Sequence, residues 1–510
     1  MTTPTLTPYR SRLHPARTGF VHLLRAEWTK FRTVRAWPLV LAAGAVVTAV
    51  ICLLGASGSG ISGTGPSRPG PDGRPVVDAF HFTYRPLTGD GTVTARVTGL
   101  RSTDGESPEP WAKVGIMVKS SLKQGSSYAA VLATPDHGIR MQWDFTHDTA
   151  GSGTDVGTTP RWLRLTRSGD RLTGYESSDG RTWTRIREVR LSGLPHTVQV
   201  GLFAGTPAHQ RVHRSFGGTS QTFGGGEVEG TYDHLLLRGT SAATAWRSKD
   251  VGGPVPNGPA PRNAEPGGTT VSAAGTYTLT GHGDIAPAED LPDTVQMSFQ
   301  GVFVGVLFMT ALGTLFVTAE YKRGLIRTTF TATPSRLRVL AAKTTVIFGV
   351  TFAAGLAATA VGFVLAQRAL RGNGFDPPEF PDLSLLENPA LRAVAGSAVL
   401  LSLVAVLAVA TGVVLRNSAA TIATVVVLVI LPQILSFAFP LPFAQWLLRV
   451  TPAAAFAVQQ GITRYPQVTY NCLPESGCYP LSPWHGLAVL AAYAAAALVL
   501  AALSLRRRDA

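Results

Sequence analysis

The sequence predicts a membrane α-helical protein of six transmembrane helices with an inserted all-β sandwich, jelly-roll-like in character. Three observations carry that reading. Six apolar runs, at residues 37–56, 297–319, 344–366, 393–415, 419–439 and 486–505, each approach or exceed the roughly 20 helical residues that cross a bilayer. Between the first and second runs, residues 76–239 give way to short alternating stretches broken by Gly, Asp and Ser, which is how half-buried antiparallel strands read. Lys and Arg crowd one boundary of the predicted spans. Residues 320–343 lead this pattern, with Lys322, Arg323, Arg327, Arg336, Arg338 and Lys343 against the single acid Glu320.

Composition agrees. The mean hydropathy is +0.17 and 45% of residues are apolar, which suits membrane helices joined to one sizeable soluble part. The formal charge is +14. Its Arg clusters abut apolar runs, as at cytoplasmic flanks that meet anionic lipid, so no nucleic-acid partner is expected. Three cysteines exclude a disulfide scaffold or a zinc module.

In chain order, residues 1–36 form a basic segment with Arg10, Arg12, Arg17, Arg25, Lys30, Arg32 and Arg35 against Glu27. Phe20, Leu23, Leu24, Trp28 and Phe31 recur in it at helical spacing, predicting an amphipathic helix on the cytoplasmic membrane surface. Residues 37–56 are the first span, kept rather than cleaved, because the basic region ahead is too long for a signal peptide. Residues 57–75 are a Gly/Ser/Pro linker.

The sandwich follows over residues 76–239. Val114, Ile116 and Val118 face one way, and Lys113, Gly115, Met117 and Lys119 the other. Leu163 and Leu165 alternate with Trp162, Arg164 and Thr166; Val198, Val200, Leu202 and Ala204 alternate with Thr197, Gln199 and Gly201. Residues 168–170 (Ser-Gly-Asp) and 178–180 (Ser-Asp-Gly) are hairpin turns. Residues 240–296 are a second Gly/Pro-rich linker with a short strand segment at 275–287.

Short basic loops stay in the cytoplasm. Residues 320–343 therefore lie inside, both termini lie inside, and the sandwich lies outside. Residues 367–392 form an external segment carrying Asp376, Glu379, Asp382 and Glu387; Arg416 and Asn417 make a tight inner turn, and Pro432 kinks the fifth span. Residues 443–485 are an external region. In it, residues 443–460 are apolar but broken by Pro452, so a re-entrant or surface helix pair fits better than two further spans. Cys472 and Cys478 are either a local disulfide or two free thiols, and an oxidising exterior favours the disulfide. Cys52 reads as a small apolar residue of the first span. Residues 506–508 (Arg-Arg-Arg) hold the C-terminal tail, 506–510, inside.

Chemistry-bearing motifs are few. The dipeptide Gly-Lys is absent, so no phosphate-cradling loop exists, and neither His-Glu-x-x-His nor Gly-x-Ser-x-Gly occurs. Sugar hydrolysis needs two facing carboxylates. Glu106, Glu109, Asp136, Asp144, Asp148 and Glu176 form no compact acidic pattern on a strand. Trp111, Trp143, Tyr175 and Trp183 could offer stacking faces to a glycan, with Arg164 or Asp144 as polar partners. The competing reading puts these rings in the sandwich core or at its edges. Asp144 and Asp148 could touch a calcium ion, although two acids are a weak signal for a site that takes six or more oxygens; no metal site is assigned. The spans are almost free of charge, unlike a channel or proton-coupled carrier. A machine energised by a cytoplasmic partner fits better.

Two resemblances sharpen this. WAKVGIMVKS (111–120), RWLRLTRSGDRLTGYESSDGRTWTRI (161–186), VQVGLFAG (198–205) and YDHLLLRG (232–239) resemble the concanavalin A-like lectin/glucanase jelly roll appended to sugar-acting secreted proteins. That likeness implies glycan contacts at Trp143, Arg164, Tyr175 and Trp183. LLRAEWTKFRTVRAWP (23–38), TLFVTAEYKRGLIRTTFTATPSRLRVLAAK (314–343), WLLRVTPAAAFAVQQ (446–460) and LRRRDA (505–510) resemble the ABC-2 type permeases of bacterial ABC exporters. This second likeness implies a multi-pass subunit of the bacterial cell membrane, paired with an identical or different permease subunit. It also implies a separate ABC ATP-binding subunit that holds ATP and Mg, while this chain binds no cofactor. The resemblance makes Glu320, Tyr321, Lys322, Arg323, Arg327 and Thr328 candidates for docking on that ATPase. The sandwich departs from the family pattern. It leaves two alternatives open: a membrane-anchored glycan-binding or sensing protein, and an ATPase-driven mechanotransmitter without transport.

Overall fold

The computed structural model describes residues 19–60, 68–152, 159–215, 218–224, 226–240, 245–252, 266–288, 292–322, 324–325, 335–377, 380–468 and 472–507. Its helices are α1 (Phe20–Thr33), α2 (Ala36–Ser57), α3 (Thr294–Met297), α4 (Val302–Lys322), α5 (Arg336–Gly372), α6 (Ala390–Leu415), α7 (Ser418–Val429), α8 (Leu431–Ser436), α9 (Leu441–Val450) and α10 (Pro483–Arg507). Six stretches among them are long and apolar enough to cross a membrane: α2, α4, α5, α6, the α7–α8 pair and α10. Pro432 stands at the α7–α8 break. Residues 443–460 become α9 followed by a 3₁₀ helix, Pro452–Gln459, bent by 97° to it, a break that fits a re-entrant loop or a broken seventh span alike. Arg416 ends α6 in the left-handed region (φ 54°), and the Asn417 side chain then caps α7 by accepting the Ala420 N–H at 3.2 Å.

Several helix boundaries differ from expectation, the widest at the two ends of α5, which runs on to Gly372 past the predicted 366, and at the start of α4. The third span starts at Arg336 rather than Thr344, so Arg336, Arg338 and Lys343 sit on helix and not on loop. After Ser335 the chain reads RLRVLAAK, nearly all strong helix formers without Gly or Pro. At 37 residues α5 runs for about 55 Å, well past a bilayer core of about 30 Å. The second span starts at Val302, five residues later than predicted, behind the short α3. The break contains Gly301, where a Cβ would stand 2.0 Å from the Thr48 carbonyl oxygen of α2. Close passage of α2 leaves no room for another residue there.

α6 is buried along most of its length among α4, α5, α10 and the 3₁₀ helix. Four hydroxyls inside the bundle return to their own helices: Thr48 to Gly44 O, Thr318 to Thr314 O, Thr359 to Gly355 O and Ser402 to Ala398 O, all at 2.7–2.9 Å. These four bring no unpaired donor into an apolar setting, whereas the buried hydroxyls of Thr310 and Thr314 have no partner among the described residues. In contrast, Leu39, Val46 and Leu54 of α2 and Val499 and Leu500 of α10 stand exposed.

The β part contains β1 (Arg68–Pro69), β2 (Pro75–Asp78), β3 (Phe80–Ser102), β4 (Lys113–Lys119), β5 (Tyr128–Thr134), β6 (Gly138–Trp143), β7 (His147–Ala150), β8 (Arg161–Ser168), β9 (Arg171–Ser177), β10 (Thr184–Arg190), β11 (Thr197–Gly205), β12 (His209–Ser215), β13 (Gly218–Gly224), β14 (Val228–Thr240), β15 (Arg247–Val251), β16 (Gly268–Val271), β17 (Tyr277–Gly281) and β18 (Ile285–Pro287). β3 belongs to two layers. Its first part pairs with β11 and β15, its second with β8 and β14, and Gly89 (φ 70°) lies at the change. One layer runs β15-β3-β11-β4-β5-β6-β7 and the other β10-β9-β8-β3-β14-β17-β16, all antiparallel. Val114, Ile116, Val118, Val131 and Met141 of the first layer meet Ala95, Val97, Leu163 and Leu165 of the second in a closed core.

The strands of the first layer are not half-buried as predicted. Met117, Lys113 and Lys119 on the far face of β4 are as buried as Ile116. A three-stranded sheet, β1-β2-β18, covers that face over a second core of Phe80, Phe82, Tyr128, Phe145 and Phe203. The sandwich therefore extends beyond residues 76–239. The strand segment expected at 275–287 becomes β17 and β18, and the stretches predicted as linkers contribute β1, β15 and β16; Val251, Leu279 and Ile285 among them are buried. Within the cover, β2 pairs with β18 (Val77 opposite Ala286), so the two ends of the insert are joined. Two buried ion pairs hold them down: Lys119 Nζ to Asp78 Oδ2 at 2.7 Å, and Lys113 with Asp284.

Candidate functional site

The densest cluster of charge forms where α1 meets the ends of α4 and α5 that flank residues 323–334. On α1, Glu27 and Phe31 fall four residues apart, on one face, and both are buried. Phe31 packs on Phe316 of α4, and Trp37 meets the same ring edge-on at 4.9 Å. Glu27 reaches Lys343 Nζ of α5 at 2.8 Å; the same ammonium donates to Glu320 Oε1 of α4 at 2.6 Å. Lys30 completes the knot, donating to Glu27 at 2.9 Å and Glu320 at 3.3 Å. Glu27, Glu320 and Lys343 are 3%, 5% and 3% exposed. Burial pulls the Lys30 ammonium down, but the carboxylates of Glu27 and Glu320 outweigh it and hold the group above its ordinary value. The sum is two acids and two bases in a nearly dry joint of three helices.

Of the candidate docking residues, Glu320 is buried inside the joint, where its Oε1 accepts from Lys343 and Lys30. Tyr321 is half-buried with the Arg416 guanidinium 5.1 Å above its ring. Lys322 is exposed at the end of α4. Arg323, Arg327 and Thr328 lie outside the described residues. The role of Glu27, Lys30 and Lys343 escaped sequence reading, although a lone acid in a basic amphipathic helix was a usable signal. Phe20, Val21 and Trp28 of α1 stay exposed beside this buried face.

The predicted glycan residues do not form one site. Trp143 stacks on His147 at 5.0 Å and packs against the interlayer core. Arg164, Tyr175 and Trp183 instead share the outer face of the second layer, because Leu163 and Leu165 take the inner face of β8. Tyr175 is the cross-strand partner of Arg164, whose guanidinium lies 3.6 Å from the Trp183 ring centroid. Burial lowers the Arg164 pKa first, and the neighbouring Arg238 lowers it further. Trp111 is buried and stacked on His137. Asp144 accepts the Ser127 hydroxyl at 2.6 Å and Asp148 is paired with Arg140, so neither is free for calcium. Among the described residues no group of His, Cys, Asp and Glu could hold a metal ion.

At the other end of the bundle the sandwich touches the segment after the 3₁₀ helix. Arg214 of β12 pairs with Glu475 and donates to the carbonyls of Ser436 (2.9 Å) and Phe439 (3.1 Å). Gln467 donates to Phe145 O at 3.0 Å and Arg74 to the Tyr465 hydroxyl at 2.6 Å. Cys472 and Cys478 are disulfide-bonded beside Glu475. Asp293 caps α3 by accepting the N–H groups of Val295 and Gln296, and also binds the Gly461 N–H; burial raises its carboxyl to about 6.

No protein-family model matches the chain, and no curated protein matches it. Among solved structures, a functionally unknown protein from Saccharomyces cerevisiae is similar at 19% identity and TM-score 0.22, covering 32% of this chain and 76% of its own. Scytalido-glutamic peptidase is similar at 12% identity and TM-score 0.26, over 40% of this chain and 98% of its own. The GH43 protein BlXynB from Bacillus licheniformis is similar at 15% identity and TM-score 0.17, over 22% of this chain and 24% of its own. Each superposes poorly on the whole chain, and none carries over a function.

Proposed function

We propose that the protein is the membrane subunit of an ABC-2 type exporter, energised by a separate ATP-binding subunit, with its sandwich outside the cell. The observation that carries this reading is the joint of Glu27, Lys30, Glu320 and Lys343. It ties both ends of the basic segment 323–334 to α1, so a push on that segment would move α1, α4 and α5 together rather than bend a loop. Packed helices act as discrete bodies in such transitions, and ATP can drive them only by binding two states unequally. In this reading Lys322, Arg323, Arg327 and Thr328 meet the ATPase, while Glu320 transmits. The exposed apolar stripes of α2 and α10 would face lipid or a second permease subunit. The test is purification of the full chain from its native membrane after cross-linking. A P-loop ATPase recovered with it, and lost with R323E/R327E, supports the reading. Its absence, or its indifference to those changes, defeats it.

A second reading has its own observation. The contacts of Arg214 with Ser436 and Phe439 couple the sandwich to the α8–α9 join, and those of Phe145 with Gln467 and Arg74 with Tyr465 couple it to the segment after the 3₁₀ helix, as a mechanotransmitter without transport would require. Efflux from vesicles, compared with ATP hydrolysis, separates the two.

A further inference from the structure

The side chains of Lys119 and Asp78 are both 0% exposed, the most deeply buried ion pair among the described residues. Three rings close around the ammonium: Nζ lies 5.9 Å from the Phe80 centroid, 5.6 Å from that of Tyr128 and 5.5 Å from that of Phe145. Nζ donates to Asp78 Oδ2 at 2.7 Å and to the Ser126 carbonyl at 3.0 Å. Oδ2 also accepts the Gly125 N–H at 2.7 Å. Asp78 Oδ1, in contrast, is buried with no hydrogen-bond partner among the described residues. A buried pair repays its desolvation only when its remaining lone pairs and protons are satisfied, and this one leaves an oxygen bare. Burial favours the uncharged form of each group: it raises the Asp78 carboxyl and lowers the Lys119 ammonium, against the pull of the partner.

We propose that Lys119 and Asp78 condense after folding to an amide that joins β4 to β2 covalently. A proton passes from the ammonium to Oδ1, giving an amine and a carboxylic acid. With Nζ 2.7 Å from Oδ2, the amine stands about 3.5 Å from Cγ, a near-attack separation. Nζ attacks Cγ, and the charge that gathers on Oδ2 is held by the Gly125 N–H. A second proton moves from the nitrogen to Oδ1, the Cγ–Oδ1 bond breaks and one water leaves; nothing is oxidised or reduced. The product keeps the bonds of the pair, its N–H donating to Ser126 O and its carbonyl accepting from Gly125. It loses the unpartnered Oδ1 and two buried charges. The ring cage keeps out the water that would reverse the step. Lys113 with Asp284 is the comparison: that carboxylate is 10% exposed, and the pair is expected to stay ionic. The amide would close residues 78–119 into a ring at the root of the insert, where β2 also pairs with β18. It holds whether or not the helices move a substrate. Until it forms, the pair acts as ions, and unfolding comparisons of the pair use protein that has lost no water.

The test uses the full chain, aged in the folded state at neutral pH, then denatured and digested for mass spectrometry. One branched species carrying residues 78 and 119, one water lighter than the sum of its parts, is expected. K119R keeps the charge but offers no condensable amine. It is expected to give the two peptides separately at full mass, with the sandwich core as protected from hydrogen exchange as in the parent. The parent's reading decides without any variant, so a variant that fails to fold hides nothing. Only unlinked peptides at full mass from the aged parent, the same branched species from K119R, or a bond mapped to Lys113 and Asp284 instead, would overturn the proposal.

Discussion

Replacing Lys343 with Met leaves Glu27 and Glu320 facing each other with Lys30 as their remaining partner. Lys343 contributes bonds of 2.8 and 2.6 Å to two carboxylates that are both under a tenth exposed. Removing one member of such a buried pair costs about 3–5 kcal/mol, because the charges left behind lose their compensation. That corresponds to roughly two to three and a half orders of magnitude in the equilibrium for opening the joint. Lys30 offsets part of this, so the lower end is the expected value. Cys substituted at Phe31 of α1 and at Phe316 of α4, whose ring centroids lie 6.3 Å apart, would report opening through loss of cross-linking in purified membranes. K343M is expected to abolish that cross-link, and K343M/E320L to restore most of it, since an apolar replacement of both partners removes the stranded charge. The reasoning fails if K343M leaves cross-linking intact, or if the double variant is worse than either single one.

Other predictions follow the same logic. K119M strands Asp78 in the sandwich cover, where burial raises the Asp78 carboxyl and lowers the Lys119 ammonium, each partly offset by its partner. A loss of about 3 kcal/mol is expected in urea unfolding, largely recovered in K119M/D78L. Burial lifts Asp293 from 3.8 to about 6, so its contribution is fullest below 3.8 and is lost as pH rises through about 6. Across that window the unfolding midpoint of the parent is expected to fall, and that of D293N to stay flat. Cys472 and Cys478 close a loop of sequence separation 6, worth about 2 kcal/mol by chain entropy. C472S/C478S is expected to speed proteolysis around Glu475 and to leave the sandwich core protected from hydrogen exchange.

Much of this architecture is legible in the residues. Continuous apolar runs announce the six long helices, Pro452 marks the bent pair, and alternation at 114–118, 163–165 and 198–204 marks central strands. What escaped was long-range. Lys119 reads as a solvated side chain of an alternating strand; only the cover built from β1, β2 and β18 buries it. Of these, β18 lies in the strand segment expected at 275–287 and β2 at the start of the expected sandwich, but their pairing across about 200 residues and the addition of β1 (Arg68–Pro69) leave no local signal. Glu320 reads as the acid of a basic loop because its partner Lys30 lies 290 positions away. Arg336 and Arg338 read as loop because their charge masks a good helix start. Trp143 and Arg164 both read as strand aromatics and cations of one domain, and only the layer assignment separates them.

The claim that drive enters through residues 320–343 is tested most directly by thiol labelling of R327C in a C52A background, in sealed vesicles with the partner ATPase co-reconstituted. Reaction with an impermeant maleimide only from the ATP-accessible side, at a rate that changes when ATP is hydrolysed, is the expected result. Labelling from the opposite side, or a rate indifferent to ATP, would contradict it.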